Sequence, residues 1–326
     1  MFKKRWFIPL LSLLPVSLLS GCDGKLVVFD PKGPAARDIL DLINWSLVFM
    51  ALIVVVVFGL FAYVIWKYRA RPENEGYEPP EEHGSTKLEM IWTAIPIVIV
   101  IALTIPTVTT VYSLEKPPEE YADKEPIVIN VTSADWKWIF SYPEQGIETV
   151  NYVNIPAGTP VQFKLTSAGT MQSFWVPALG GQKYTMNKME TEMYLTADQP
   201  GEFLGRNTNF NGRGYADMEF TVEAKTPEDF EKWVNEVKDT APKLTEKKYL
   251  SLLKPTHLGR ETYVGTHLQW VDHGKMNSGT YTNPELYEVH GVKGKIFEDE
   301  ESTDKSSNTE DMDMDEKTDG GEQDGH

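Results

Sequence analysis

The sequence predicts two membrane-spanning helices joined as a hairpin, then an all-β domain, a helical extension and an acidic tail. Three observations carry that expectation. Two 25-residue stretches, 42–66 and 90–114, contain no charged side chain, and each exceeds the roughly 20 residues a helix needs to cross a bilayer. Short apolar or alternating runs separated by turn residues fill the region from Pro126 to about Glu223, the pattern of a β-sandwich or barrel. The charge is also uneven. Of a net −17 over 326 residues, 13 acids and two lysines in residues 298–326 give −11.

The elements follow in chain order. Lys3, Lys4 and Arg5 precede an apolar run from Trp6 to Leu19, and Leu19-Ser20-Gly21-Cys22 closes the segment. This is the layout of a secretory signal, and its end resembles a bacterial lipobox. The resemblance implies a signal peptide over residues 1–21 and a mature chain lipid-anchored at Cys22, outside the cell membrane. Residues 22–40 then lead into a first span at 41–67. Lys67, Arg69 and Arg71 follow it at once and favour the cytoplasmic side, so 68–88 reads as a cytoplasmic loop and 89–114 as the returning span. Everything after about Glu115 is then extracytoplasmic.

Pro96 and Pro106 lie inside the second span. Proline removes a helix donor, which membranes tolerate where a neighbour covers the freed carbonyl. Glu89 stands where that span meets the cytoplasmic face. An ionisable group at such depth is either a solvated boundary residue or a functional one.

Strand-like runs include Ile127-Val128-Ile129-Asn130-Val131, Trp136-Lys137-Trp138-Ile139-Phe140 and Val161-Gln162-Phe163-Lys164-Leu165. They define a β-domain over 125–224. Thr226-Pro227-Glu228-Asp229 reads as a helix start, and Phe230, Trp233 and Val237 recur at helical spacing. Residues 225–297 are expected to form a helical extension. The tail at 298–326, with almost no apolar anchors, reads as disordered. The acidic balance excludes a general nucleic-acid role, which needs a basic surface.

The motif Ser173-Phe174-Trp175-Val176-Pro177-Ala178-Leu179-Gly180-Gly181, together with Leu88-Glu89-Met90-Ile91-Trp92-Thr93 and Thr196-Ala197-Asp198-Gln199-Pro200-Gly201, resembles subunit II of the haem–copper terminal oxidases over roughly residues 20–240. The resemblance implies a cupredoxin-like Greek-key barrel. In copper-bearing members, a His before the Ser-Phe-Trp stretch and a Cys-x-Glu-x-Cys-x-x-x-His-x-x-Met loop hold a dinuclear copper centre. Here those positions are Gln172, then Asn207, Asn209, Asn211 and Tyr215, leaving only Met218. The one cysteine is Cys22, and no histidine lies between His83 and His257. Electron-transfer copper requires thiolate and imidazole, so this subunit is expected to bind no metal.

Loss of that centre marks the quinol oxidases of the family, and the resemblance is to subunit II of an aa3-type menaquinol oxidase. It implies a proton-pumping complex that oxidises quinol and reduces O2 to water. Its haems and one copper reside in subunit I, with smaller membrane subunits as further partners and cytochrome c excluded. It also implies that Glu89 lies at the mouth of a proton channel into subunit I. Trp136 and Trp138, near the cytochrome c docking surface in copper-bearing relatives, are expected to serve packing. His267 and His273, with Asp272, sit in polar surroundings that read as exposed and are not expected to bind metal. The alternative is a free-standing membrane lipoprotein whose β-sandwich binds a small molecule or partner.

Overall fold

The computed structural model describes residues 26–69, 76 and 84–275. The signal segment with Cys22, most of the loop expected at 68–88 and the acidic tail lie outside the described residues.

Helix α1 spans Pro34–Tyr68 and helix α2 spans Thr86–Ser113. Both are long and apolar enough to cross a membrane, and neither apolar window is buried within the chain. Helix α1 begins earlier than its uncharged stretch. Pro34 at the first helical position supplies a pre-set φ, and Pro34, Ala35 and Ala36 are buried. The preceding residue strap is held from both sides. The Lys32 amide donates to the Ala178 carbonyl at 2.7 Å, and the Lys32 carbonyl accepts from the Asp198 amide at 2.9 Å. Arg37 pairs with Asp198 and Glu120, and the Tyr121 hydroxyl donates to the other Asp198 oxygen at 3.0 Å. The Thr196–Gly201 motif thus ties the β-domain to the end of the hairpin where α1 begins and α2 stops.

The β-domain comprises β1 (Ile127–Ala134), β2 (Lys137–Tyr142), β3 (Ile147–Val150), β4 (Tyr152–Pro156), β5 (Val161–Ser167), β6 (Gln172–Trp175), β7 (Gln182–Thr185), β8 (Thr191–Leu195), β9 (Gly201–Asn207) and β10 (Glu219–Lys225). A last strand, β11 (Glu261–Val264), comes from the C-terminal extension. The strands form two sheets, ordered β11-β3-β2-β1-β5-β8 and β4-β10-β9-β6-β7. Pairing is antiparallel except for β1–β5 and β4–β10.

Period-2 alternation explains the sandwich. Ile129, Val131, Trp138, Phe140 and Tyr142 point inward, where they meet Phe174 and Phe220 from the second sheet. Trp138, Phe140, Phe174 and Phe220 form an aromatic centre with ring separations of 4.9–5.5 Å for four of their pairs. Each such side chain contributes roughly 1.5–3 kcal/mol by burial. The alternate residues of β1–β3, among them Ile139, Ser141, Glu148 and Val150, are buried as well, because the C-terminal extension covers the outer face.

That extension is helical over its first part. Helix α3 (Pro227–Thr240) is capped by Thr226, whose Oγ1 accepts from the Asp229 amide at 3.1 Å. It buries Phe230, Val234 and Val237, with Trp233 packed beside them. Helix α4 (Glu246–Leu252) follows. Beyond the expected helices the chain adds β11, paired antiparallel with β3. Leu244, Tyr249, Leu252, Leu253 and Val271 then form a second apolar cluster against Ala134, Ile139 and Val150.

Candidate functional site: the amide-tied loop and the start of α2

Strand β6 and the loop after β9 bring together most of the positions singled out in the sequence. Gln172, Asn207, Asn211 and Met218 are all buried. Asn207 Oδ1 accepts from two amides, those of Ser173 at 2.9 Å and Asn209 at 3.0 Å. Its Nδ2 donates to the Asn209 carbonyl at 2.8 Å. Asn209 Nδ2 reaches the Met171 carbonyl at 2.8 Å, and Asn211 Nδ2 lies 3.3 Å from the Met218 sulfur. The Asn207 amide also donates to the Met218 carbonyl at 3.1 Å. Tyr215 stands apart on a single 3-10 turn, half-buried, with its ring 5.5 Å from that of the exposed Phe210.

One participant is not visible as a site residue in the sequence. Asp135, fully buried, accepts from Thr170 Oγ1 at 2.9 Å and from Gln172 Nε2 at 3.3 Å. It occupies the two-residue connection between β1 and β2, where an aspartate reads simply as a turn former. Trp136 completes that turn with φ 68°, a left-handed conformation that is an outlier for a bulky residue. Its indole N–H donates to the Asn211 carbonyl at 3.1 Å, and its ring covers Gly214, where a Cβ would collide with it. Trp136 is therefore a packing residue on the loop, while Trp138 belongs to the core.

The donors at this place do not suit electron-transfer copper. They are neutral amides and one thioether, with neither thiolate nor imidazole among them. Several of the amide groups are already spent on backbone groups of the same loops. Among the described residues, no group of three or more His, Cys, Asp or Glu side chains is placed to hold a metal ion.

At the membrane hairpin, Glu89 lies in the first turn of α2, and its amide donates to the Ser85 carbonyl at 3.0 Å. The two prolines of α2 are treated differently. Pro106 cannot donate to the Ala102 carbonyl, and Trp45 of α1 supplies the replacement, its indole N–H donating there at 3.1 Å. Pro96 deprives the Trp92 carbonyl of its helix donor in the same way.

The surroundings of His267 and His273 correct the sequence reading. They are polar, but both rings are buried, because their partners come from strands far earlier in the chain. His267 Nδ1 lies 2.7 Å from Glu148 Oε2, which also accepts from the His267 amide at 2.9 Å and from Ser141 Oγ at 2.9 Å. That contact assigns Nδ1 as the protonated nitrogen and leaves Nε2 to accept from Thr132 Oγ1 at 3.2 Å. The Tyr249 ring stacks on His267 at 4.4 Å, and its hydroxyl lies 2.7 Å from His273 Nε2. Burial, aided by nearby His267, lowers His273 from 6.5 to about 3. Asp272 turns away to Lys275 at 2.9 Å. The cluster fastens the extension to the outer face of the sheet.

A family model described as Cytochrome C oxidase subunit II, transmembrane domain, matches residues 23–110, which takes in α1 and all but the last three residues of α2, consistent with a membrane protein. "Quinol oxidase subunit 2" of Bacillus cereus is 57% identical over 272 residues, covering 82% of this chain and 94% of the relative. The protein of the same name from Bacillus subtilis (strain 168) is 53% identical over 264 residues, covering 81% and 82% respectively. Among solved structures, the periplasmic domain of subunit II of cytochrome oxidase (CoxB) of Bradyrhizobium japonicum is 22% identical, with a TM-score of 0.35, over 36% of this chain and 96% of that one. Identity above one half across nearly the full length of such a relative means that this chain belongs to the quinol oxidase subunit 2 family.

Proposed function

We propose that this chain is the subunit II of a proton-pumping terminal oxidase that oxidises quinol, menaquinol in particular, and reduces O2 to water. The observation that carries this reading is the amide-tied loop. A subunit that receives electrons from cytochrome c needs a metal relay in its exported domain, and here the relay positions are committed to structural hydrogen bonds. A lipid-soluble quinol can donate within the bilayer and needs no such relay. The haems and the remaining copper belong to subunit I, and smaller membrane subunits complete the assembly. The β-domain lies outside the membrane, strapped to the hairpin through Lys32, Arg37 and Asp198, and Cys22 carries a lipid anchor.

Glu89 takes the role of proton entry. Its place in the first turn of α2 supports this role, because an ionisable group at a membrane boundary is costly unless used. The decisive measurement is oxygen consumption by the purified membrane complex with reduced quinol and with reduced cytochrome c. Activity with quinol alone is expected; activity with cytochrome c alone overturns the reading, and a monodisperse chain without a haem subunit favours the free-standing lipoprotein. Glu89→Gln is expected to slow turnover with the complex intact. Wild-type oxygen uptake in that variant removes Glu89 from the role.

A further inference from the structure

The inner half of α2 carries three polar groups on one stripe. Glu89, Thr93 and Pro96 follow one another at i, i+4 and i+7, so they share a helix face. The Trp92 carbonyl points along the axis toward Pro96, which has no N–H to offer it. Thr93 differs from three of the threonines deeper in the same helix. Thr104, Thr107 and Thr109 each donate back to the carbonyl four residues earlier, at 2.8, 2.7 and 3.2 Å. Among the described residues, the Thr93 hydroxyl has no partner. The stripe spans about 10 Å at 1.5 Å per residue.

The outer half of α2 shows the other solution to the same problem. The Ala102 carbonyl freed by Pro106 is capped within the chain by Trp45. Hydrocarbon does not tolerate uncapped backbone groups, and such groups survive only against protein donors or a water-filled cavity. A carboxylate, a hydroxyl and a carbonyl deprived of its usual helix donor form in succession a row of acceptors with one donor, the chemistry that orders a file of water. An apolar docking face would not place all three together.

We infer that Thr93 Oγ1 and the Trp92 carbonyl are the second station of the proton path that begins at Glu89, positioning water one turn deeper in the membrane. The inference rests on the proton-entry reading of Glu89. The Glu89 carboxylate takes a proton from the cytoplasmic side. Its O–H bond then breaks as an O–H bond forms on water held by Thr93 and Trp92, which passes its excess proton inward. Glu89 returns to the carboxylate, and no other reactant is consumed. Thr93 acts here as a positioning residue, and Pro96 keeps the Trp92 carbonyl available.

The test uses the intact oxidase complex carrying Thr93→Val, which keeps the shape and removes the hydroxyl, with Thr93→Ser and Glu89→Gln in parallel. Quinol-driven oxygen uptake per haem is measured across pH in H2O and D2O. Thr93→Val is expected to lower turnover about fivefold, the equivalent of one lost hydrogen bond, with a larger solvent isotope effect and a steeper decline at high pH. Thr93→Ser is expected to restore all three. Wild-type turnover and isotope effect in Thr93→Val, with Glu89→Gln slow, overturn this inference and leave the entry role of Glu89 standing. Wild-type behaviour in Glu89→Gln overturns both. Loss of the haem subunit from Thr93→Val preparations, with turnover per remaining haem unchanged, makes the stripe a packing contact and also overturns the inference.

Discussion

The loop after β9 and the first turns of α2 both carry polar groups, and the chain treats them in opposite ways. In the loop, Asn207 alone makes three hydrogen bonds to backbone groups, and Asn209, Asn211 and Trp136 add further ties. In the helix, the Thr93 hydroxyl has no partner among the described residues, and Pro96 withholds from the Trp92 carbonyl its usual helix donor. Saturation of hydrogen-bonding capacity makes a rigid scaffold, because an unpaired buried group costs more than a paired one returns. Capacity held in reserve on a membrane face marks a place where water or a partner completes the structure. The difference separates a loop whose hydrogen-bonding capacity is spent on structure from a helix face proposed to carry protons.

Breaking the closed side has the largest expected effect. Asn207→Ala removes an acceptor shared by two amides and a donor to a third group, leaving the buried Ser173 amide and the half-buried Asn209 amide without partners. At about 1–3 kcal/mol for an unsatisfied buried group, a loss of about 3 kcal/mol is expected for the β-domain. Thermal unfolding of the full chain in detergent, followed by tryptophan fluorescence, measures it through the Trp138 core. A change within about 0.5 kcal/mol would mean that the loop is held by packing, and the saturation argument would fail.

A second closed polar region, under the C-terminal extension, responds to pH instead of mutation. His273 binds a proton near 6.5 when unfolded and only near about 3 when folded, because burial and nearby His267 disfavour the charge. Between those values the unfolded chain holds more protons, so stability falls as pH falls. The slope is about 1.4 kcal/mol per unit for one group. Release of the extension below pH 6.5 is expected, read as protease sensitivity of residues 241–275 before any loss of the core signal. His273→Phe keeps the bulk and removes the titration, and should flatten the profile. An unchanged slope in that variant assigns the acid sensitivity to other groups.

Much of this was readable from residue types alone, and the reasons differ by region. The two spans are legible because a bilayer demands a long uncharged run, a local property of sequence. The unsuitability of the loop for copper is legible because a missing thiolate or imidazole cannot be recovered by folding. Asp135 escapes, since one aspartate between two strands looks the same whether it only turns the chain or also anchors Thr170 and Gln172. The burial of His267 escapes for a different reason. Its partners, Thr132, Ser141 and Glu148, are more than 100 residues away in sequence, and local polarity carries no record of them. The four-residue strand β11 is too short to announce itself, and it forms because β3 offers an open edge.

The smallest effect probes the capped proline, which is the internal control for the uncapped one. Trp45→Phe removes the indole N–H and leaves the Ala102 carbonyl bare while preserving most of the ring contact with Phe49, now 5.1 Å between centroids. Hydrogen bonds between membrane helices average about 0.6 kcal/mol, and the larger ones reach about 1–2 kcal/mol. A loss of about 1 kcal/mol in hairpin stability is therefore expected, measured by unfolding in detergent. Pro106→Ala restores the helix donor at that carbonyl, so the Trp45 hydrogen bond becomes redundant. In a double-mutant cycle the cost of Trp45→Phe should then shrink toward zero. A cost that stays the same in the Pro106→Ala background would show that Trp45 acts through ring packing. The contrast between a capped and an open proline would then lose its physical basis. Pro96→Ala offers the mirror experiment, because restoring its donor should leave hairpin stability unharmed and remove an acceptor that the open end holds in reserve.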